Sequence, residues 1–420
     1  MNKSNIAIIG LGYVGLPLAI EFGKIFNTIG FDINKRRIKE LIAGKDSTKE
    51  ISKKELLNTK YLQFSNQTIN IRKANIYIIC VPTPIYKNKK PNLKYLFDAT
   101  KLVAKLLKKN DLIIYESTVY PGLTEEECVP ILENISGMQY NKDFFCGYSP
   151  ERINPGDKKH GLKNICKITS GSTPRIANKV DNLYKKIARA GTYKVSSIRI
   201  AEAAKIIENI QRDINIALIN EISMVFDKMN IDTQEVLNAA ATKWNFLNFK
   251  PGLVGGHCIG IDPYYLTYQS KKFGVNPKVI LAGRNVNDNM SMFLVKKLLR
   301  EMFLKKINIK KSKILVLGLT FKENCSDVRN SKVIEVVNLL KKLKAKVDIH
   351  DPIANKLEVK NKYKIKLINL NEKNKYDVLI FAVAHKKFKN YKKFTKFTKE
   401  KNIIFDIKYL FGKNTLTLTL

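Results

Sequence analysis

Gly10-Leu11-Gly12-Tyr13-Val14-Gly15 is a GxGxxG run that follows an apolar stretch, Asn5–Ile9, and opens an amphipathic segment reaching about Phe26. A second apolar stretch, residues 28–31, ends on Asp32. The glycines alone are a weak signal. The order strand, glycine-rich turn, helix, strand, acid, with the acid about 20 residues past the glycines, is that of a dinucleotide-binding βαβ unit. In such a unit Gly10 permits the tight turn, Gly12 lets backbone approach the pyrophosphate, and Gly15 lets helix and strand pack closely. Asp32 would accept from the adenosine ribose hydroxyls and repel a 2′-phosphate, which favours NAD over NADP. Arg36 and Arg37 pull the other way, since they could accommodate that phosphate.

Working outward, strand-like runs at 76–81 and 112–116 end in the loops Pro82-Thr83-Pro84 and Ser117-Thr118-Val119-Tyr120-Pro121-Gly122. In a parallel sheet such loops lie at the carboxyl ends of strands, where ligands bind. Thr83, Ser117 and Thr118 could equally cap the helices that follow. From 199 to 230 apolar residues recur at helical spacing (Ala203, Ile206, Ile207, Ile210, Ile214, Leu218, Ile222, Val225), predicting a helix long enough for a spine between domains or a dimer seam. Lys205 and Asn209, four apart, share one face of it. Helical patterns continue over 232–242 and 263–303. At Lys313 the character changes. Strand patterns at 313–318, 346–350 and 377–383, separated by helical stretches such as 333–343, predict a second open α/β unit without GxGxxG. Its first strand leads to Phe321-Lys322-Glu323-Asn324 and Asp327-Val328-Arg329-Asn330-Ser331, cations that imply an anionic ligand. Residues 413–420 carry no functional signal. The expected fold is α/β, two Rossmann-like doubly wound domains joined by a long central helix. The expected division is 1–196 for NAD, 197–304 for a helical dimerisation domain with a cysteine loop, and 305–420 for the sugar nucleotide.

A chain of 420 residues has room for two or three domains, and a 45% hydrophobic content is ordinary for a soluble protein. No apolar run would span a bilayer, and the amino terminus runs straight into a strand, so neither membrane attachment nor a signal peptide is expected. Six cysteines, at 80, 128, 146, 166, 258 and 325, show no CxxC pair and no metal spacing. They read as reduced thiols of the cytoplasm, with no metal site. The net charge of +38 is the footprint of a nucleic-acid binder. The lysines are scattered, however, and no zinc-finger or RNA-binding aromatic motif accompanies them, so no nucleic-acid partner is expected. The same field would draw in a nucleotide diphosphate.

Gly255-Gly256-His257-Cys258, followed by Asp262, carries the chemistry. A lone cysteine is ordinarily a buried structural thiol. This one has small neighbours on a glycine-rich turn, a setting for covalent chemistry. Joined to a nicotinamide-binding module, it points to an alcohol oxidised past the aldehyde to the acid through an enzyme-bound thiohemiacetal.

Two Rossmann-like units, a long helix and GGxC…D together resemble the nucleotide-sugar 6-dehydrogenases, the UDP-glucose and UDP-N-acetylhexosamine dehydrogenase family. The likeness covers Gly10 to about Phe405. It rests on GLGYVGLP at 10–17, VPTP at 81–84, ESTVYPG at 116–122, GYSPERINPGD at 147–157, AEAAKIIEN at 201–209, GLVGGHCIGIDPYYL at 252–266 and GLTFKENCSDVRNS at 318–331. The wording YSPERINPGD and GGHCIGIDPYY looks most like the branch acting on UDP-N-acetylglucosamine or UDP-N-acetylgalactosamine. The resemblance implies Cys258 as nucleophile, Lys205 as oxyanion-stabilising cation, and Asn209 as its hydrogen-bonding companion. It further implies Asp262 organising water or base, Glu151 as general base in thioester hydrolysis, and Thr118 beside the reacting hydroxyl. Without it, Lys205 and Asn209 would be solvated bystanders and Glu151–Arg152 a plain salt bridge. To NAD it assigns Gly10, Gly12, Tyr13, Val14, Gly15, Asp32, Arg37, Thr83, Ser117 and Arg329. To the sugar nucleotide it assigns Arg152, Asn154, Lys250, Gly255 and Lys322. No Cys–His dyad with His257 is expected, because adjacent residues rarely face each other. A homodimer is the expected assembly.

Overall fold

The computed structural model describes residues 5–153, 161–412 and 417–420. They form two units, Met1–Glu208 with Tyr264–Asn276, and Asn209–Pro263 with Pro277–Leu420. The first is built on strands β1 (Asn5–Ile9), β2 (Asn27–Phe31), β3 (Leu62–Ser65), β4 (Ile76–Ile79), β5 (Asp111–Tyr115), β6 (Phe144–Tyr148), β7 (Lys167–Gly171) and β8 (Thr192–Lys194). They form one sheet in the order β3-β2-β1-β4-β5-β6-β7-β8. Pairing is parallel out to β6, β7 runs antiparallel to β6, and β8 is parallel to β7. β4 and β5 are buried along their whole length, as strands must be when helices cover both faces. The neighbours of β1 lie on either side of it, so the sheet reverses its winding between β1 and β4. That is where an open α/β sheet makes its ligand crevice.

The helix after the glycine turn, Gly15–Gly23, stops short of the expected Phe26. Tyr61 N donates to Gly23 O at 2.9 Å, engaging a carbonyl near the helix end. Leu16, Leu18, Ala19, Ile20 and Phe22 from this helix join Ile6, Ile8, Ile76, Ile78, Leu112 and Ile114 in the first core.

The second unit carries β9 (Lys313–Leu317), β10 (Lys346–His350), β11 (Tyr376–Phe381), β12 (Thr398–Asp406) and β13 (Thr417–Thr419). The sheet is wholly parallel in the order β10-β9-β11-β12-β13. β13 lies where the sequence shows no functional signal. Its register on β12, Thr417 against Ile404 to Thr419 against Asp406, gives those residues a structural place. The helices Ile198–Met229 and Lys278–Leu304 are also present. The helical pattern over 263–303 is two helices, Asp262–Lys272 and Lys278–Leu304, because Gly274 at φ +73 and Pro277 break it.

β9 repeats the turn of β1 without its motif. Gly10 (φ +95) donates to Phe31 O at 2.8 Å, and Leu11 N donates to Asp32 Oδ2 at 2.9 Å. Gly318 (φ +94) donates to His350 O at 2.9 Å, and Leu319 N donates to Asp351 Oδ2 at 2.6 Å. The two acids differ in what surrounds them. Asp32 is half-buried. Asp351 is buried, accepts from Ile353 and Ala354 N–H at 2.8 Å, and lies 3.2 Å from His385 Nε2. Burial works against its charge, but His385 and the backbone donors outweigh it and hold the carboxyl well below the usual range.

Candidate active site

In the first unit the glycines are placed as their spacing requires. A Cβ on Gly15 would lie 1.8 Å from Gly10 O and 3.1 Å from Cys80 Cβ, whereas one on Gly12 would meet nothing within 4 Å. Tyr13 and Val14 are half-buried beside the turn. Val14 occupies the N-cap without a side-chain bond, and no acid lies in the first turn. The first backbone N–H groups of a nine-residue helix are thus uncapped by a side chain, a ready site for a pyrophosphate. Asp32 Oδ1 accepts from Asn34 N at 2.8 Å, which fixes the carboxylate at the end of β2. Open space at Gly12, the bare helix terminus and a partly exposed acid fit NAD.

Arg37 differs from a side chain available to a phosphate. It is buried, and it donates to Leu11 O (3.0 Å), Ser47 Oγ (3.0 Å) and Asp46 Oδ1 (2.8 Å). It therefore braces the glycine turn from beneath. Arg36 is the exposed one, paired with Glu40.

Ser117 Oγ donates to Val81 O at 2.7 Å, and Tyr265 OH donates to Thr83 O at 2.9 Å, tying together the loops after β4 and β5. Thr118 is half-buried in the same loop. The helices that follow begin after Leu93 and Leu123, neither with a side-chain cap, so Thr83, Ser117 and Thr118 are not capping residues.

Glu151 is buried after β6. Its Oε1 accepts from Arg152 N and Ile153 N, both at 2.6 Å. Its Oε2 has no hydrogen-bond partner among the described residues, and Lys167 Nζ lies 3.6 Å from it. Arg152 turns away, donating to Cys166 O (2.7 Å) and pairing with Glu208 (2.7 Å), so the plain Glu151–Arg152 salt bridge does not form. Asn154 lies outside the described residues. Lys205 is buried, which rules out a solvated bystander.

In the second unit Asn209 Nδ2 donates to Asp262 Oδ2 at 2.5 Å, and Asp262 is buried. Cys258 is half-buried, and its carbonyl accepts from Ile261 N (3.0 Å) and Asp262 N (2.9 Å). The cysteine thus begins a turn that leads directly into the helix Asp262–Lys272. Two contacts hold the loop. Asn220 clamps Gly252 in both directions, Nδ2 to Gly252 O at 3.0 Å and Gly252 N to Oδ1 at 2.7 Å. Asn220 also bonds Asn287, which bonds Asp213, and Arg284 Nη1 donates to Asp213 at 2.6 Å. This buried polar frame leaves no periodic trace in sequence and was not anticipated.

At its other end the loop packs on the segment after β9. Gly256 N donates to Asn330 O at 3.2 Å, and Asn330 Nδ2 returns to Gly256 O at 3.3 Å. A Cβ on Gly255 would lie 2.7 Å from Asn330 O, and one on Gly256 (φ +88) 2.7 Å from the Phe321 ring. The glycines are needed because backbone passes there. Lys322, next to Phe321, is half-buried, and Lys250 is exposed. Arg329 makes a two-pronged bond to Asp327 (2.9 and 2.7 Å). Burial pushes the His257 imidazolium down to about 4, with Arg329 adding to the fall, so His257 is neutral at physiological pH. Its Nδ1 lies 3.7 Å from Asp327. Among the described residues no cluster of three His, Cys, Asp or Glu side chains is arranged to hold a metal, and no helix is long and apolar enough to cross a membrane.

Models of the UDP-glucose/GDP-mannose dehydrogenase family match in three consecutive stretches. The NAD binding domain matches 4–188, the central domain 199–289, and the UDP binding domain 315–413. The UDP-N-acetyl-D-glucosamine 6-dehydrogenase of Salmonella typhi is 53% identical over 412 residues, covering 98% of this chain and 97% of that protein. The enzyme of the same name from Pseudomonas aeruginosa is 50% identical over 422 residues, 100% of both. Among solved structures, the UDP-D-ManNAc dehydrogenase of Pyrococcus horikoshii superposes with a TM-score of 0.90 at 30% identity, covering 99% of this chain and 98% of that one.

Proposed function

The chain belongs to the UDP-glucose/GDP-mannose dehydrogenase family and is an NAD-dependent UDP-sugar dehydrogenase, and from that premise we propose that it oxidises the C6 hydroxyl of a UDP-N-acetylhexosamine to the uronic acid. UDP-N-acetylglucosamine or UDP-N-acetylgalactosamine is the substrate, and two NAD are reduced per sugar. Support for the sugar comes from the half-identical relatives that act on UDP-N-acetyl-D-glucosamine. The observation that carries the chemistry is Cys258 at the mouth of the helix whose first residue, Asp262, is held by Asn209.

Gly10–Gly15 and Asp32, with Arg37 bracing the turn, would hold NAD, which would supply a hydride acceptor. The first oxidation yields the C6 aldehyde, with Thr118 beside the reacting hydroxyl. Cys258 Sγ adds to the aldehyde carbon, and Lys205 supplies the cation that the new alkoxide needs. The second oxidation converts this thiohemiacetal to a thioester. Glu151 Oε2 then takes a proton from water as the water oxygen attacks the thioester carbon. The C–S bond breaks, Cys258 leaves as thiolate, and the carboxylate is released. Arg152, Asn154, Lys250, Gly255 and Lys322 serve the sugar nucleotide and Arg329 the cofactor. The working division is 1–196, 197–304 and 305–420. A homodimer is supported by exposed Ile207, Leu218 and Val225 on the long helix, and the product suits surface polysaccharide synthesis in the cytoplasm.

The test is the yield of NADH per sugar with UDP-N-acetylglucosamine, UDP-N-acetylgalactosamine, UDP-glucose and UDP-N-acetylmannosamine, for wild type and Cys258→Ala. Two NADH per sugar on an N-acetylglucosamine or N-acetylgalactosamine substrate, lost in the variant, is the expected result. One NADH per sugar, or turnover indifferent to Cys258, overturns the covalent mechanism. Preference for UDP-glucose or UDP-N-acetylmannosamine reassigns the substrate.

A further inference from the structure

The loop that carries Thr118 is anchored on both sides of that residue, and one anchor is a side chain with no part in the mechanism above. On the near side Ser117 Oγ donates to Val81 O at 2.7 Å and Tyr148 OH donates to Ser117 O at 3.1 Å, so the loop leaves β5 at a fixed point. Past Thr118 the chain closes a turn, Leu123 N donating to Tyr120 O at 3.1 Å. Glu202, from the helix Ile198–Met229, holds that turn. Its Oε2 accepts from Gly122 N at 2.6 Å, and its Oε1 accepts from Thr124 N at 3.0 Å and Thr124 Oγ1 at 2.6 Å. Gln269 adds a longer bond, Nε2 to Pro121 O at 3.3 Å.

Glu202 and Thr124 are both fully buried. A carboxyl group is a costly choice for such a place unless its oxygens are satisfied. Here both oxygens are used, and all three donors come from the one turn. A glutamine of the same shape could not accept them all, because whichever way its amide is turned an NH2 faces a backbone N–H. Lys205, three residues on, lies on the same face of the helix and is also buried. Glu202 thus ties the turn after Thr118 to the helix segment that carries Lys205. Thr118, half-buried, is suspended between this anchor and the one at Ser117.

We infer that Glu202 is a positioning residue for the first hydride transfer: by pinning Gly122 and Thr124 to the helix of Lys205, it fixes where Thr118 presents its hydroxyl to the reacting C6 oxygen. The inference rests on the assignment of Thr118 beside that hydroxyl. Glu202 is fully buried and acts only through the loop. Misplacing a group at a reacting centre by about 1 Å can cost about a hundredfold in rate, so a loop released on one side of Thr118 should register in the chemical step.

The readout is the rate at which the first NADH appears in stopped flow, with enzyme in excess over UDP-N-acetylglucosamine and NAD saturating. Glu202→Gln should lower this rate about tenfold to a hundredfold, and Thr118→Ala should lower it comparably. Once the Thr118 hydroxyl is gone its placement no longer matters, so adding Glu202→Gln to Thr118→Ala should slow the step by less than about twofold. A residue that merely supports the fold would slow both backgrounds by the same factor. Thr124→Val, which removes one of the three donors and keeps the side-chain shape, should show the same pattern more mildly, and it stands in where Glu202→Gln does not fold. Equal slowing in the two backgrounds, or no slowing in either variant, overturns the positioning role and leaves Thr118 in place. A first hydride transfer indifferent to Thr118→Ala overturns the Thr118 assignment and the inference with it.

Discussion

Gly12 and Gly15 stand three residues apart on one turn, yet alanine at each should fail for different reasons. At Gly15 the new Cβ would lie 1.8 Å from Gly10 O and 3.0 Å from Gly10 C. That is more than an ångström inside van der Waals contact, and the obstacle is backbone at φ +95 rather than a movable side chain. Overpacking of well-packed sites costs about 1–3 kcal/mol and a backbone clash lies at or above that upper end, so Gly15→Ala should lose about 3 kcal/mol or more. At Gly12 the Cβ would meet no protein atom within 4 Å, so stability should hold within about 0.5 kcal/mol. The methyl would instead occupy the approach of the pyrophosphate. Losing one charge-assisted backbone bond costs about 1.5–3 kcal/mol, a weakening of NAD binding of about tenfold to a hundredfold. Urea unfolding followed by circular dichroism, and NAD titration by calorimetry, separate the two effects. The dinucleotide reading of this turn is refuted if folded Gly12→Ala binds NAD as wild type does. The packing argument is refuted if Gly15→Ala unfolds at the wild-type urea midpoint.

Two further outcomes follow from buried charges. Arg284 is buried against Asp213, so Arg284→Met leaves a buried carboxylate without its cation and should cost about 3–5 kcal/mol in a urea melt; a loss below 1 kcal/mol would show the frame to be dispensable. Burial pushes Glu202 up to about 7, against donation from Gly122 N (2.6 Å), Thr124 N (3.0 Å) and Thr124 Oγ1 (2.6 Å). Its folded value lies above the ordinary glutamate value of 4.5, so its contribution is full below that value and is lost as pH rises through about 7. The melting temperature of wild type should therefore fall more steeply from pH 5 to pH 8 than that of Glu202→Gln, and parallel slopes would contradict the assignment.

What sequence could reveal here was local. Gly10, Gly12, Gly15 and Asp32 are legible because one turn geometry demands them within about 20 residues. Gly255 and Gly256 are legible as small neighbours of a cysteine, although Asn330 and Phe321, which make them necessary, come from much later in the chain. The Lys167–Glu116 bond joins positions 51 residues apart, Tyr184–Glu116 68, and Asn220–Gly252 32. No periodicity encodes such pairs. Arg37 misleads for a related reason: beside Asp32 it looks like a phosphate ligand, and only its bond to Leu11 O identifies it as a brace. The strand β13 is three residues long, and its parallel ladder on β12 has no hairpin signal to announce it.

The paired turns at Gly10 and Gly318 show one backbone design put to opposite uses. Water reaches Asp32 in part, whereas Asp351 is walled in by its own loop and by His385. An acid that a ligand can touch is a selectivity filter, and replacing it changes what binds. An acid that nothing can reach is a keystone, and replacing it loosens the arch. Pattern matching on glycines finds the first turn and misses the second, because the turn-and-acid geometry recurs where the letters do not.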